Sequence, residues 1–470
     1  MSQEEYNIKS NINYLFFPKS VAVIGASRSP GKIGHEILRN IIEYGYEGKV
    51  YPVNPKADEI LGLKCYKSVL EIPDPVDLAV ISIPAKYVPA ALEECGKKGV
   101  KAAAIISSGF KEIGNVELEN KIVEIARKYG IRFIGPNIFG VFSAPSKLNA
   151  TFGPTKVLPG KIAFITQSGA LGIALMGWTI FAGIGLSAVV SLGNKADVDE
   201  ADLLEYFVYD EHTKVVLIYM EGLNNGRRFM EAATKCSLKK PVIVIKAGRS
   251  ERGARAVASH TGSLAGSDVF YDVAFKQCGV LRALNVEEAF DWARAFTELP
   301  EPKGDNVVII TNGGGIGVMA TDACSDYGLN LMELPEDLMN EFRKCMPPFG
   351  SPKNPVDLTG QAAYDEYTKA LEVALSDDRI HSIILLFCQT AVVDPPKLSE
   401  VIADVVKKYG RCKPIVACYI GGEECQKGMK ILEQNGIPSY PTPERAVSAL
   451  AAVYRWVKWK KKMLKKLEVK

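Results

Sequence analysis

Short runs of apolar, mostly β-branched residues recur at 21–24, 49–53, 78–83, 103–106, 162–166, 215–220, 242–246, 307–311, 383–388 and 415–419. Between them, apolar positions return at about every third or fourth residue, so strands alternate with amphipathic helices and the pattern predicts a parallel α/β architecture. Three of the runs pass straight into a glycine-rich turn and then a helical pattern: VAVIGAS at 21–27, IAFITQSGALG at 162–172 and VVIITNGGGIG at 307–317. The markers Gly25, Gly169 and Gly313 follow one another at equal intervals of 144 residues. Each third is the size of a domain. Turn formers and polar residues cluster near 144–159 and 299–305, which gives the expected segments 1–148, 149–300 and 301–470.

Residues 162–194 carry no charge and are long enough on paper to span a bilayer. Gln167, Ser168 and Gly169 interrupt the run early, and Gly172, Gly177, Gly183, Gly185 and Gly193 punctuate the rest. The expectation is therefore a buried strand, a glycine turn, a buried helix and another strand. The tail from 451 onward keeps Val453, Val457, Leu464 and Leu467 at helical spacing on a basic helix, expected to pack on its own domain.

Composition removes several function classes. The chain is 47% hydrophobic and 24% charged, an ordinary globular mixture that excludes collagen, disorder and a disulfide-stapled miniprotein. With 57 Lys and Arg against 54 Asp and Glu, the net charge is +3, and residues 455–470 alone hold eight basic residues and one acid. The body of the chain is thus slightly acidic, so no nucleic-acid partner is expected. The ten cysteines are scattered, without a CxxC pair or a zinc-like spacing, and residues 1–10 lack an apolar leader. Reduced thiols, a cytoplasmic location, no resident metal and no membrane contact are the expectations.

In the first third, Gly25-Ala26-Ser27-Arg28 and Lys32 follow a strand and open a helix, where N–H groups and the positive helix end face an anion. The spacing is not GxGxxG. After the next strand, where a dinucleotide domain carries an acid for the ribose, the chain reads Asn54-Pro55-Lys56. A lysine there suits an extra phosphate, as on NADP or the 3′-phosphate of coenzyme A. Later turns at Ile83-Pro84, Ile106-Ser107-Ser108 and Gly135-Pro136-Asn137 complete a crevice at strand ends. The set GASR, PVNPK, SIPA, SSGF and GPN resembles the CoA-binding domain of the NDP-forming acyl-CoA synthetase and succinyl-CoA synthetase superfamily. The resemblance implies a Rossmann-like CoA-binding domain followed by two flavodoxin-like domains.

Of four histidines, His260 alone sits in a stretch rich in glycine and small residues, 247–268, directly after a strand, and the stretch is read as a mobile loop. A neutral imidazole there can accept a phosphoryl group and return it. Glu221, at the end of the 215–220 run, is placed to fix its ring, and Gln167-Ser168-Gly169-Ala170 at a helix start supplies groups for phosphate. Gly313-Gly314-Gly315 opens a second such helix. These pieces resemble the alpha subunit of ADP-forming acyl-CoA (acetyl-CoA) synthetases over nearly the whole chain. The resemblance implies a transient phosphohistidine at His260 supported by Glu221, and phosphate held by 167–170 on the acyl side and 313–315 on the nucleotide side. Gln167 and Ile173 depart from the succinyl-CoA pattern and favour a monocarboxylic acyl group.

No Walker A motif and no ATP-grasp pattern is found in the sequence. ADP or ATP and Mg²⁺ are accordingly expected on an ATP-grasp beta subunit, in an α2β2 heterotetramer. The alternative is a non-catalytic CoA-binding regulatory scaffold, which would need neither His260 nor Glu221. An NADP-dependent oxidoreductase would rest on the first domain alone, and nothing elsewhere resembles a hydride-transfer site.

Overall fold

The computed structural model describes residues 11–261 and 268–468, with the side chains of 257–261 outside that description. The chain forms two compact units, Met1–Ala283 and Leu284–Lys470.

The first unit holds two sheets. One runs, edge to edge, Lys49–Val53, Ser20–Ile24, Leu78–Ile81, Ala102–Ile105 and Arg132–Ile134. All its pairings are parallel. Helices such as Ile33–Glu43 and Val88–Lys98 connect its strands, and Ser20–Ile24 and Leu78–Ile81 are buried at every position. That is why these strands read as continuous apolar runs rather than alternating ones.

The second sheet runs Leu281–Ala283, Val242–Lys246, Val215–Met220, Pro159–Thr166, Leu186–Ser191, Gly140–Ser143 and Leu148–Thr151. Its first five strands are parallel, and the last two form a hairpin that pairs antiparallel with Leu186–Ser191. Strand hydrogen bonding in the second sheet therefore begins at Gly140, inside the expected segment 1–148. The uncharged run 162–194 forms the strand Pro159–Thr166, the helix Gly169–Phe181 and the strand Leu186–Ser191. Among the described residues, no helix is long and apolar enough to cross a membrane. The Asn40 amide of helix Ile33–Glu43 donates to the carbonyls of Thr151 and Gly153, both at 2.9 Å, and so ties the hairpin to the first sheet's helical layer.

The second unit is built on one parallel sheet in the order Asn330–Leu331, Asn306–Thr311, Ser382–Cys388, Ile415–Ile420 and Ser439–Tyr440, with Val356–Asp357 beside Asn306–Thr311. The short strand Val356–Asp357 is the middle of the NPVDL segment. Its Asn354 acts as a substitute strand, accepting from the Ile309 N–H at 3.0 Å and donating to the Val307 carbonyl at 2.8 Å. Helix Val286–Glu298 belongs to this unit: Trp292 Nε1 donates to Ser448 Oγ at 3.0 Å, and Arg445 pairs with Asp291 at 2.7 Å. The partner in both contacts is the terminal helix Pro443–Glu468. Val453 and Val457 are buried on that helix, whereas Leu464 and Leu467 are exposed, so only its first half packs.

Candidate functional site

The first glycine turn is shaped by close approach. Gly25 has a φ of 93°, and a Cβ at Gly34, in the first turn of the following helix, would collide with the Gly25 carbonyl oxygen. Only glycine at both places lets the helix start press on the strand end. Around it, the Asn54 amide donates to the Ala26 carbonyl at 2.7 Å, and Asn54 Oδ1 accepts from the Lys56 N–H at 2.8 Å, so the Asn54-Pro55-Lys56 turn is fastened to the Gly25-Ala26-Ser27 turn. Arg28, Lys32 and Lys56 are exposed on this rim. Ser107 Oγ donates to the Ile83 carbonyl at 2.5 Å, and the Asn137 N–H donates to the Ser107 carbonyl at 2.9 Å. The turns carrying Ile83, Pro84, Ile106, Ser107, Ser108 and Asn137 thus join one another at the carboxyl ends of parallel strands, where open α/β sheets bind ligands.

Beside Asn137, a cavity of about 530 Å³ opens between the two sheets of the first unit. Its lining includes Ser168, Gly169 and Ala170 at the start of helix Gly169–Phe181, the apolar Phe139, Phe152 and Ile173, and the polar Asn194, Lys195 and Asn224. Gln167 also lines it, but both ends of its amide are engaged within the protein. Gln167 Oε1 accepts the N–H groups of Glu221 at 2.6 Å and Gly222 at 3.1 Å, while Nε2 donates to the Gly222 carbonyl at 2.7 Å and to Glu200. Its side chain grips the Glu221 turn instead of reaching into the cavity.

Glu221 is buried at the end of strand Val215–Met220. The Tyr219 hydroxyl hydrogen bonds to Glu221, and burial together with that carboxylate pushes the phenol up to about 12. Tyr219 is therefore a donor to Glu221 throughout the physiological range. Lys195 Nζ donates to Glu200 at 3.0 Å and to the Gly222 carbonyl at 2.7 Å, with side chains only 8% and 1% exposed. Lys246, at the root of the stretch that carries His260, is buried with its ammonium 4.5 Å from the Tyr271 ring centre, and burial pulls its pKa down. Where the sequence suggested a loop, residues 251–261 form the helix Glu251–Thr261, because its small residues, Ala254, Ala256 and Ala258 among them, suit a helix as well as a loop; His260 falls in that helix, and its side chain lies outside the described residues. The other three histidines have structural settings. His35 Nδ1 meets the Ser27 carbonyl at 2.9 Å, His381 Nδ1 accepts from the Asn306 N–H at 3.0 Å, and the His212 ring lies against Phe17.

The second helix start repeats the first in its own unit. In one, Thr166 Oγ1 bonds both the N–H and the carbonyl of Ser168; in the other, Thr311 Oγ1 bonds both those of Gly313. Gln167 clamps the end of a neighbouring strand, and Asn312 does likewise, accepting from the Cys388 N–H at 2.8 Å and donating to its carbonyl at 2.9 Å. Ser168 is matched by Gly313, with Gly314 and Gly315 exposed as the first helical residues.

Sequence reasoning missed Lys195, Glu200, Tyr219 and Lys246. For Lys195 a signal existed: it is the first charge after the uncharged run, just beyond a strand end.

Residues 19–143 match the family described as CoA binding domain, 159–296 the succinyl-CoA ligase like flavodoxin domain, and 307–464 the Ligase-CoA domain. Fold and glycine turns together therefore define a CoA-ligase class of protein. The alpha subunit of ADP-forming acetate–CoA ligase I from Pyrococcus furiosus is 63% identical over 96% of this chain and 99% of its own length. A solved dinucleotide-forming acetyl-coenzyme A synthetase 1 from Ca. Korarchaeum cryptofilum, in complex with phosphate and ADP, is 50% identical with a TM-score of 0.95, covering 97% of this chain and 99% of that one. The ADP-forming acetate–CoA ligase of Methanocaldococcus jannaschii is 45% identical over 95% of this chain, which spans 63% of that longer protein. The chain belongs to the family of ADP-forming acyl-CoA synthetases, on the alpha-subunit side.

Proposed function

We propose that this chain is the alpha subunit of an ADP-forming acyl-CoA synthetase that runs acyl-CoA + ADP + phosphate ⇌ carboxylic acid + ATP + CoA, with acetyl as the acyl group. The observation that carries the mechanism is the pair of like-built helix starts, Thr166–Ala170 and Thr311–Gly315, one in each unit. Each offers N–H groups and a positive helix end to a phosphoryl dianion, so one phosphohistidine can be held in turn at two places.

In this reading the Gly25-to-Lys32 turn and Asn54-Pro55-Lys56 hold the CoA phosphates, with Lys56 toward the 3′-phosphate. A phosphate oxygen held at Ser168-Gly169-Ala170 attacks the thioester carbonyl carbon; the C–S bond breaks and CoA leaves as thiolate, giving an acyl phosphate. A His260 ring nitrogen then attacks phosphorus as the bond to the acyl oxygen breaks, releasing the carboxylate. Glu221 fixes the ring for that attack. The phosphoryl group next passes from His260 to the terminal oxygen of ADP at the Gly313–Gly315 start. ADP and Mg²⁺ belong to an ATP-grasp beta subunit, in an α2β2 assembly. The longer single-chain relative supports a partner, because this chain accounts for only 63% of it. Apolar Phe139, Phe152 and Ile173 around the cavity suit a small monocarboxylic acyl group.

The test is to incubate the purified protein with acetyl-CoA and labelled phosphate and map any acid-labile, base-stable label. Label at His260, absent in His260→Ala, is expected, with CoA still bound by the variant and turnover of the assembled enzyme reduced by about 1,000-fold or more. Turnover retained in His260→Ala would end the reading.

A further inference from the structure

We propose that Lys195 is a substrate-contacting residue of the cavity, its ammonium meeting the phosphate that enters and the acyl phosphate that forms at the Ser168–Ala170 helix start. The proposal rests on the reading of that cavity as the acyl-phosphate site.

Four observations converge on it. Lys195 lines the cavity together with Ser168, Gly169 and Ala170; Lys111 is the other cation among the lining residues, and it is exposed to solvent. The Lys195 side chain is only 8% exposed, which is rare for a lysine that merely solvates a surface. Its backbone is held at a φ of 55°, a left-handed conformation that non-glycine residues seldom adopt and that concentrates at functional sites. An ammonium has three N–H donors. Glu200 and the Gly222 carbonyl take two of them, and no hydrogen bond among the described residues takes the third.

The two partners fix where the charge stands. Glu200 also accepts from Gln167 Nε2, so its negative charge is shared with an amide, and the Gly222 carbonyl anchors the ammonium to the turn that bears Glu221. Burial weakens solvent screening, so a phosphoryl oxygen reaching the third N–H meets a stronger field than at the protein surface. The helix start by itself supplies only about half a charge. As the phosphate oxygen bonds to the thioester carbon and the C–S electron pair leaves with sulfur, negative charge builds on the carbonyl oxygen beside a phosphoryl group that stays anionic. The Lys195 ammonium offsets that charge.

His260 can be phosphorylated from two directions in the assembled enzyme: from acetyl-CoA and phosphate through this cavity, and from ATP through the partner's side. Lys195→Met is expected to slow labelling by acetyl-CoA plus labelled phosphate by about 100-fold and to raise the KM for phosphate, with ATP-driven labelling kept at the wild-type rate and Lys195→Arg recovering part of the loss. Because Lys195→Met strands a buried Glu200 carboxylate, the neutral pair Lys195→Met with Glu200→Gln is measured alongside and should show the same one-sided loss. An unchanged KM for phosphate, or equal loss in both directions in a folded neutral pair, overturns the proposal and makes Lys195 a prop for the Glu221 turn. A wild-type enzyme that labels from neither direction overturns the acyl-phosphate reading itself, and this proposal with it.

Discussion

A methyl group at Gly34 would have nowhere to go. The Cβ would strike the Gly25 carbonyl and come within 3.1 Å of Ser82 Oγ, while Gly25 itself is held at a φ of 93° against the end of strand Leu78–Ile81. Gly34→Ala therefore has to push the helix start off the strand end. Overpacking of this kind costs about 1–3 kcal/mol, and here the displaced groups are those proposed to face the CoA phosphates. Isothermal titration with CoA should show affinity reduced about tenfold or more, along with a lower unfolding midpoint. Wild-type CoA affinity in a folded Gly34→Ala protein would mean that the phosphates lie elsewhere. Its partner Gly25 was legible in the sequence from the strand that runs into it, whereas the need for glycine at Gly34 arises from a close approach that only the folded turn shows.

At the scale of elements, the two helix starts show what the hydrophobic pattern could and could not tell. Runs buried on both faces are largely apolar, so strands such as Val215–Met220 and Val242–Lys246 were legible with their boundaries, and the glycine turns after the 162–166 and 307–311 runs were legible as helix starts. The hairpin Gly140–Thr151 was not, since its direction depends on a partner strand, Leu186–Ser191, distant in sequence. Gln167 was read as a phosphate ligand, and its side chain is committed to Glu221, Gly222 and Glu200, residues that no local pattern connects to it. Gln167→Leu should leave the Glu221 and Gly222 N–H groups without their acceptor. At about 1–3 kcal/mol for each stranded group, urea denaturation should show a clear loss, and His260 labelling from acetyl-CoA and phosphate should slow with the loosened turn. Asn312 occupies the matching place in the second unit, so the design is one of clamping a strand end beside each helix start. Unchanged stability in Gln167→Leu would remove the clamp from that account.

On the scale of the whole molecule, function depends on how the two sheets of the first unit are held, because the proposed acyl-phosphate cavity lies between them. Beside a shared apolar core, the joint carries a cluster of ion pairs. Arg132, on the last strand of the first sheet, is only 9% exposed and pairs with Asp197 at 2.9 Å and Asp202 at 3.2 Å; Arg228 reaches the same Asp202 at 2.6 Å. Backbone bonds run beside these pairs, from Ala196 N–H to the Gly135 carbonyl at 3.0 Å and from Val198 N–H to the Phe133 carbonyl at 3.1 Å. The segment so fastened is the one that carries Lys195. Removing one partner from a buried ion pair costs about 3–5 kcal/mol, because the other charge is left without compensation. Arg132→Met should therefore speed amide hydrogen exchange in 132–134 and 194–202 while leaving strands Asn306–Thr311 and Ser382–Cys388 as protected as in the wild type. It should also slow acetyl-CoA-driven labelling of His260 without touching a catalytic group. Exchange unchanged at 194–202 would show that the backbone bonds and the shared apolar core hold the joint without Arg132, and would shift the explanation of Lys195's placement from the Arg132 cluster to the Glu200 pair.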